Sequence, residues 1–266
     1  MGDRPEGEKD MKSARHDHAP KTLAIDVGGT GLKASVLDHT GRMIVDRVRI
    51  ATPYPCPPDV MVASLVELVA PLPAFHQVSV GFPGVVQHGR TVTAPHFDDP
   101  AWPDFPLAAA LAKELGAPVR MLNDAEVQGF GIVKGYGLEL VLTLGTGAGT
   151  ALFRDGVLMP HLELAQHPLH GKKTYNDYIG NAARKKIGKK KWSHRVHKTI
   201  AVLHSLLHYD VLYLGGGNGG KVIAPPEHVV IESNDAGITG GVRLWDTDVE
   251  KTLFSSDPSP SLALTD

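Results

Sequence analysis

The sequence predicts an α/β protein built from two related lobes that face each other across a cleft. Each half of the 266-residue chain opens with a β-hairpin whose turn is rich in glycine, at 22–38 and at 139–158. Apolar runs typical of buried strands then alternate with stretches of helical spacing, the pattern of α/β folds. We expect an N-terminal lobe over 21–123 and a C-terminal lobe over 124–246.

The amino-acid composition excludes several classes of protein. With 42% hydrophobic and 21% charged residues the chain can bury a core, so global disorder is excluded. A net charge of −2 argues against a uniformly basic nucleic-acid-binding surface. Cys56 is the only cysteine, which excludes an internal disulfide and a cysteine-rich zinc site.

Both ends of the chain are polar. Residues 1–20 have no apolar segment of the kind that a secretory signal needs, and we expect a disordered leader. Residues 247–266 are rich in Ser, Pro and Asp and predict a flexible tail. No apolar run reaches the length of about 18 residues that a membrane-spanning helix needs, so a cytoplasmic location is expected.

Each predicted element follows from its local pattern. The first half reads as strands over 22–27, 32–38, 43–50, 77–82 and 118–123, with helices over 59–70 and 106–116. A helix follows Asp124. The second half reads as a hairpin over 139–145 and 151–158, a mostly helical region over 172–207 and a strand over 210–217. Within the helical region, the spacing of Ile187, Trp192, Val196, Ile200 and Leu203 indicates core.

The first hairpin turn has the features of a phosphate-binding loop. Glycine lets backbone N–H groups approach phosphate oxygens, Thr30 adds a hydroxyl and Lys33 a positive charge. Asp26 precedes the turn and can hold Mg²⁺ through water or orient a phosphoryl group. The predicted residues are Asp26, Gly28, Gly29, Thr30 and Lys33. The alternative is a hairpin turn that merely needs glycine.

Two further glycine-rich turns follow strands in the second half. They supply Gly145, Thr146 and Gly147, and then Gly215, Gly216 and Gly217. The first of them repeats the strand-turn-strand context of the N-terminal loop. Two such turns in one chain are hard to explain by chance. Neither is a Walker loop, because the GxxxxGK[ST] pattern is absent.

Asn123 and Asp124 end a strand at the expected cleft. A carboxylate there can accept the proton of an attacking hydroxyl, and helix capping is the alternative role. Further along, Glu163, Gln166 and His167 combine groups that suit a polyhydroxyl ligand. A purely structural role for His167 is the alternative.

Taken together, these motifs resemble the ROK family of sugar kinases, and within it the polyphosphate glucokinase branch. The resemblance covers about 21–245 and rests on DVGGTGLK, GFPG, ND, LGTGAGT, the segment at Glu163 and LGGGNGG, in that order. It implies a two-lobed actin-like ATPase (ribonuclease H-like) fold with an interlobe cleft. It also implies phosphoryl transfer to a hexose hydroxyl, Mg²⁺ dependence and a homodimer.

The resemblance also implies individual roles. Asp124 matches the catalytic base, and Asn123 and Glu163 match sugar contacts. The loop beside the sugar is matched by Gly81, Pro83 and Gly84. The chain departs from the family where a histidine is usual, because Gln166 stands there and His167 follows one position later. The usual zinc cysteines are also missing.

The phosphoryl donor is open between ATP and polyphosphate. Residues 172–198 carry ten Lys or Arg and one acid, Asp177. A solvated helix face is the plain interpretation, but clustered like charges also suit a polyanion such as polyphosphate, RNA or DNA. The residues predicted to form a polyphosphate track are Lys185, Lys186, Lys189, Lys190 and Lys191.

Two other classes of protein compete with a kinase. A non-catalytic sugar sensor of the same family would need a DNA-binding N-terminal region, for which the leader is short and polar. A nucleic-acid-binding module would use the basic stretch, which lacks interleaved aromatic residues for base stacking.

Overall fold

The computed structural model describes residues 19–233 and 235–254. The first half contains β1 (Thr22–Val27), β2 (Leu32–Leu37), β3 (Val48–Ile50), α1 (Pro58–Val69), β4 (Gln77–Phe82), β5 (Val86–Gln87), β6 (Arg90–Thr91), α2 (Leu107–Leu115) and β7 (Val119–Asn123). The second half contains α3 (Asp124–Phe130), β8 (Leu138–Leu144), β9 (Ala148–Arg154), β10 (Val157–Leu158), β11 (Pro168–His170), β12 (Lys173–Thr174), α4 (Tyr175–Ile179), α5 (Asn181–Ile187), α6 (Lys189–Leu207), β13 (Val211–Gly215), β14 (Val229–Ile231), α7 (Ala236–Thr239) and α8 (Thr247–Val249).

Two five-stranded sheets of the same topology form the two lobes. The first has the order β3-β2-β1-β4-β7 and the second β10-β9-β8-β13-β14. In each sheet the first three strands along the chain are antiparallel neighbours, and the later two run parallel to the first strand. The prediction of an α/β fold with two related lobes is therefore confirmed.

Strand β1 shows how alternation builds the first lobe. Leu23, Ile25 and Val27 point to a core shared with α1 and α2, whereas Ala24 points to the opposite face and packs near Ile238. A strand buried on both faces must be apolar at nearly every position, which is why its sequence reads as a continuous hydrophobic run.

Helix α6 forms the core of the second lobe on one face only. Trp192, Val196, Ile200 and Leu203 recur at helical spacing and are at most 1% exposed, which confirms their prediction as core. The Trp192 indole donates a hydrogen bond to the carbonyl of Ile179, 2.7 Å away, and so fixes α6 against α4.

The C-terminal segment folds back onto the first sheet. The Ser79 hydroxyl of β4 donates to the Gly241 carbonyl at 2.6 Å, and it accepts from the Trp245 indole at 2.9 Å. Arg120 of β7 pairs with Glu250 at 2.6 Å and lies over the Trp245 ring. Part of the predicted C-terminal lobe therefore packs on strands of the N-terminal sheet.

The predicted tail differs from the structure at its start. Residues 247–254 form helical turns, and Val249, Leu253 and Phe254 pack beside the core under α3. These spaced apolar side chains bury enough surface to order a segment whose average composition suggested a loose one. The rest of the predicted tail, 255–266, and the predicted leader up to residue 18 lie outside the described residues.

Candidate active site in the interlobe cleft

A cavity of about 510 Å³ lies between the two sheets, where the strands deliver the glycine-rich turns. It brings together most of the residues predicted from the sequence, although they are spread over nearly two hundred positions. Those that line it are Asp26, Gly28, Gly29, Thr30, Lys33, Pro83, Gly84, Asn123, Asp124, Gly145, Thr146, Gly147, Glu163, Gly216 and Gly217.

The first loop joins β1 to β2 as a tight turn. The Gly28 N–H donates to the Gly31 carbonyl at 3.1 Å, and a side chain at position 28 would collide with that oxygen. Asp26 and Lys33 are directly paired across the hairpin, and their charged groups lie 2.6 Å apart. Asp26 therefore enters the cleft as part of an ion pair, with Lys33 beside the loop.

The second loop is braced from the C-terminal lobe. The Gly145 N–H donates to the Gly147 carbonyl at 2.9 Å, and the Ala148 N–H donates to the Asn176 side chain at 2.7 Å. The Asn218 amide donates to the Gly145 carbonyl at 3.2 Å, which ties this loop to the third glycine-rich turn. The two C-terminal glycine turns thus form one connected surface of the cleft.

Two roles were predicted for the pair Asn123 and Asp124, a helix cap and a carboxylate in the cleft, and each residue takes one of them. The Asn123 side chain accepts from the Ala125 N–H at 2.9 Å and so caps α3, while its amide donates to the Gly84 carbonyl at 3.0 Å. Asp124 begins the helix and faces the cleft, with Oδ1 accepting from the Ala125 N–H at 2.9 Å. Asn123 positions the loop, and Asp124 presents a carboxylate.

Asp124 holds its proton more tightly than an ordinary aspartate. Burial, and next the negative charge of Asp26, raise the pKa of Asp124 from 3.8 to about 7. Glu126 and Glu163 add smaller contributions in the same direction. A carboxyl group with a pKa near neutrality is well matched to general-base catalysis at physiological pH.

Gly81 and Gly215 lie behind the cleft, not in its lining. A Cβ at Gly81 would meet the Asp124 backbone at 3.4 Å, and one at Gly215 would meet the Gln128 side chain at 2.7 Å. Glycine at 215 therefore lets α3 approach the second sheet closely, whereas a methyl group at 81 would make ordinary contact with α3. Contact of either residue with sugar or phosphate stays a prediction.

His167 also lies away from the cavity. Its side chain is exposed, and its ring lies 6.4 Å from that of Tyr175. The imidazoles that line the cleft belong to His96 and His161 instead. The backbone of His167 is hydrogen-bonded to Leu164 and Tyr175.

His161 is bound to two carboxylates. Its Nδ1 lies 2.7 Å from Glu126 Oε1, and its Nε2 lies 3.4 Å from Glu163 Oε2. These hydrogen bonds, that of Glu126 first, raise the pKa of His161 to about 9. Sequence reasoning missed this pair, although Asn123 followed three positions later by Glu126 is a readable capping box.

Basic side chains reach the cleft from both lobes. Arg47 directly precedes β3 and Arg49 lies within it, and Lys33 pairs with Arg49 in the sheet register, so these groups share one face. Arg184 and Lys221 line the cleft from the other lobe. The two arginines were missed, although the alternation through β3 was the signal that could have found them.

The predicted polyphosphate track lies on the outer face of the second lobe. Lys185, Lys186, Lys189, Lys190 and Lys191 are all exposed, and none of them lines the cavity. Arg184 precedes them on α5 and does line it. Within the basic run, Arg184 therefore lines the cleft, and the five lysines that follow it lie on the exposed surface.

The residues of the cleft fit a Mg²⁺ ion that is shared with a phosphate donor. Such an ion typically uses one or two protein carboxylates, waters and phosphate oxygens. Asp26 supplies a carboxylate whose Oδ1 has no hydrogen-bond partner within the described ranges, while Oδ2 is paired with Lys33. Within those ranges no group of three or more His, Cys, Asp or Glu forms an all-protein metal site.

The fold and the site define a class of protein. Two sheets of one topology enclose a cleft with paired glycine-rich loops and a buried carboxylate, as in the two-lobed actin-like (ribonuclease H-like) fold. Residues 22–160 match the model of the ROK family, and the chain belongs to that family.

Individual relatives agree with this assignment. Polyphosphate glucokinase from Mycobacterium tuberculosis is 32% identical over 204 residues, which are 73% of this chain and 77% of the relative. The solved structure of inorganic polyphosphate/ATP-glucomannokinase from Arthrobacter is 28% identical with a TM-score of 0.77, covering 84% of this chain and 97% of that one. A ROK glucokinase from Streptomyces griseus, solved with glucose and AMPPNP, has a TM-score of 0.69 over 84% of this chain and 98% of that one. At 19% identity it shows the fold alone.

Proposed function

We propose that this protein is a sugar kinase that transfers a phosphoryl group from polyphosphate or ATP to the 6-hydroxyl of glucose or a related hexose. The observation that carries the proposal is the position of Asp124. Its carboxylate lies in one cleft with both glycine-rich loops and with the polar side chains of Asn123 and Glu163. A base between a phosphate site and a hydroxyl-binding site is the arrangement that phosphoryl transfer to an alcohol requires.

Asp124 accepts the proton of the sugar hydroxyl as the hydroxyl oxygen attacks the terminal phosphorus. The bond from that phosphorus to the bridging oxygen of the donor breaks, and the shortened donor leaves with the electron pair. Backbone N–H groups of the two loops and the Lys33 ammonium stabilise the charge on the transferred group. Most of the rate acceleration comes from this positioning and electrostatic stabilisation.

Asp26 would hold Mg²⁺ through water, beside the first loop. The ion, when bound, supplies charge neutralisation for the donor phosphates. Lys33 orients the Asp26 carboxylate through their 2.6 Å contact. The chain's own part is therefore to present one fixed carboxylate oxygen to the hydrated ion.

A polyanionic donor is supported by the distribution of positive charge. Lys33, Arg47, Arg49, Arg184 and Lys221 line the cleft, and the exposed lysines of α5 and α6 continue from Arg184. Long chains of phosphate carry more charge than a nucleotide triphosphate, so an extended basic path favours them selectively. These lysines have two alternative roles, as a solvated helix face or as a binding site for nucleic acid. In either case, replacing them would leave the preference between polyphosphate and ATP unchanged.

The similarity to polyphosphate glucokinases and to a polyphosphate/ATP-glucomannokinase favours an enzyme over the alternative of a non-catalytic sugar sensor. A homodimer and a cytoplasmic location stay predictions. Among the described residues, no helix is both long enough and apolar enough to cross a membrane.

A donor and acceptor panel tests the function. Purified protein is offered ATP, GTP, short polyphosphate and long polyphosphate with glucose, mannose or N-acetyl sugars, and sugar phosphate is measured. We expect turnover with a hexose and with polyphosphate or ATP. The complete absence of turnover with every pair would refute the kinase and leave a binding protein.

A lysine variant tests the donor path. Replacing Lys185, Lys186, Lys189, Lys190 and Lys191 by glutamine should raise the KM for long polyphosphate and flatten its salt dependence, while the KM for ATP stays unchanged. The matched control replaces the exposed lysines Lys113 and Lys134, which lie outside the cleft lining. Equal effects on both donors, or a KM for polyphosphate that is insensitive to salt in the wild type, would contradict this path. A gel shift with RNA competing against polyphosphate separates the two polyanions.

A further inference from the structure

Glu126 is a buried carboxylate that the proposed mechanism does not use. It is 5% exposed and lies in the first turn of α3, two residues after Asp124. Its Oε2 accepts from the Asn123 backbone N–H at 3.0 Å, which completes the capping box. Its Oε1 faces the loop that carries His161. The position of Glu126 is thus determined by the same helix start that orients Asp124.

His161 joins this buried carboxylate to Glu163, on the other side of the imidazole. Its Nδ1 contacts Glu126 Oε1 at 2.7 Å, and its Nε2 faces Glu163 Oε2 at 3.4 Å. The Glu163 side chain is about one-third exposed, and its Oε1 accepts from the Ala165 N–H at 3.1 Å. Among the hydrogen bonds of the described residues, the contact with His161 is the one that links Glu163 to Glu126 and so to the start of α3.

We propose that His161 is a positioning residue of the acceptor site: a protonated bridge from Glu126 that holds the Glu163 carboxylate where the sugar hydroxyls bind. This inference rests on the proposed function, because it places the sugar between Asp124 and Glu163. An imidazole that donates from both nitrogens to two carboxylates must carry a proton on each. The neighbouring groups that face it are Glu126, Glu163 and, through the same carboxylates, Asp124 and His96.

The bridge also limits charge repulsion in the cleft. Glu126 and Glu163 both act on Asp124, and each would add an uncompensated negative charge if His161 were neutral or absent. One imidazolium between them offsets much of that charge while occupying little space. His161 therefore orients the carboxylate of Glu163 and offsets the negative charges of both Glu126 and Glu163.

The test uses the full chain with two substitutions and one control. His161→Gln removes the positive charge and shortens the reach to Glu163. Glu126→Gln keeps an acceptor for the Asn123 N–H and a donor toward His161, but it removes the charge that keeps His161 protonated. His194→Gln is the control, because His194 is exposed on α6 and outside the cavity lining. Thermal unfolding checks that each variant is folded.

Steady-state kinetics separate positioning from general damage. We expect kcat/KM for the hexose to fall about 10- to 100-fold in both cleft variants, as misplacement of a binding group does. The KM for the donor should change less than about threefold, and His194→Gln should match the wild type. A folded His161→Gln variant with wild-type hexose kinetics, or one that loses donor and acceptor affinity equally, would overturn the proposal.

Nuclear magnetic resonance gives a readout that does not depend on activity. In ¹⁵N-labelled wild-type protein at pH 7.5, the His161 ring should show two protonated nitrogens, and in Glu126→Gln it should show one. A neutral His161 ring in the wild type overturns the bridge. If the wild type phosphorylates no sugar at all, the proposed function fails, and these resonances still decide the bridge by themselves.

Discussion

Replacing Asp124 by asparagine should stabilise this protein while it abolishes turnover. Burial and the charge of Asp26 raise the pKa of Asp124 from 3.8 to about 7, so the folded state resists ionising this group. Asparagine has nearly the same shape, carries no charge and can still accept from the Ala125 N–H. The substitution therefore removes an unfavourable charge without leaving a cavity or an unpaired donor.

The stability that Asp124→Asn gains over the wild type depends on pH. Below about pH 3 the carboxyl group is protonated in both states, and its ionisation adds no difference. Between the two pKa values only the unfolded chain ionises, so the wild type loses stability relative to the variant as pH rises. With a pKa that rises from 3.8 to about 7, the expected difference is about 2 kcal/mol at pH 5 and about 4 kcal/mol at pH 8.

Urea unfolding at pH 5 and pH 8 measures this difference directly. The control is Asp46→Asn, an exposed carboxylate for which no comparable gain is expected. A gain that is equal at both pH values, or a variant that is less stable than the wild type at pH 8, would refute the argument from buried charge. In parallel, turnover should fall by about 10²- to 10⁴-fold, the usual effect of losing a general base. Near-normal turnover would refute the assignment of Asp124 as the base.

Three further perturbations follow from the same geometry. The acid limb of the pH profile of kcat/KM should fall near pH 7, because the base must be ionised and the pKa of Asp124 is about 7; a limb near pH 4 would contradict this. Lys33→Met removes the partner of Asp26 at 2.6 Å and should lower kcat/KM for the donor by about 10²-fold in coupled assays; an unchanged value would exclude Lys33 from the donor site. Gly129→Ala should destabilise the protein by about 1–3 kcal/mol in urea unfolding, since its new methyl group would overlap the fully buried Phe153 ring; wild-type stability would show that α3 can move away.

The pattern of strands and glycine turns was predictable because both are local properties. Alternation in β1 and the glycine run after it depend on residues within a few positions of each other. The same is true of the core face of α6, where Trp192 and Val196 lie one turn apart. The C-terminal segment was not predictable in this way. Its order comes from Arg120 and Ser79, which lie more than a hundred residues earlier in the chain.

The contrast between His161 and His167 shows most clearly what local sequence patterns do not predict. The family resemblance favoured His167, which lies one position after the place where the family usually has a histidine, yet that side chain is exposed and does not line the cleft. His161 enters the cleft because Glu126, thirty-five positions earlier, supplies a buried carboxylate for it to bind. A long-range hydrogen bond of this kind leaves no trace in local periodicity.

By itself the sequence determined the fold class, the two glycine-rich loops predicted to bind phosphate, and the candidate base. These depend on strand alternation, on glycine where the backbone must approach a ligand, and on a carboxylate at a strand end. Only the tertiary structure decided which histidines line the cleft, that Arg47 and Arg49 share a face with Lys33, and that Arg184 lines the cleft while the lysines that follow it do not. Those facts depend on where distant segments pack, because electrostatic and hydrogen-bonding partners are chosen by distance in space and not by distance along the chain.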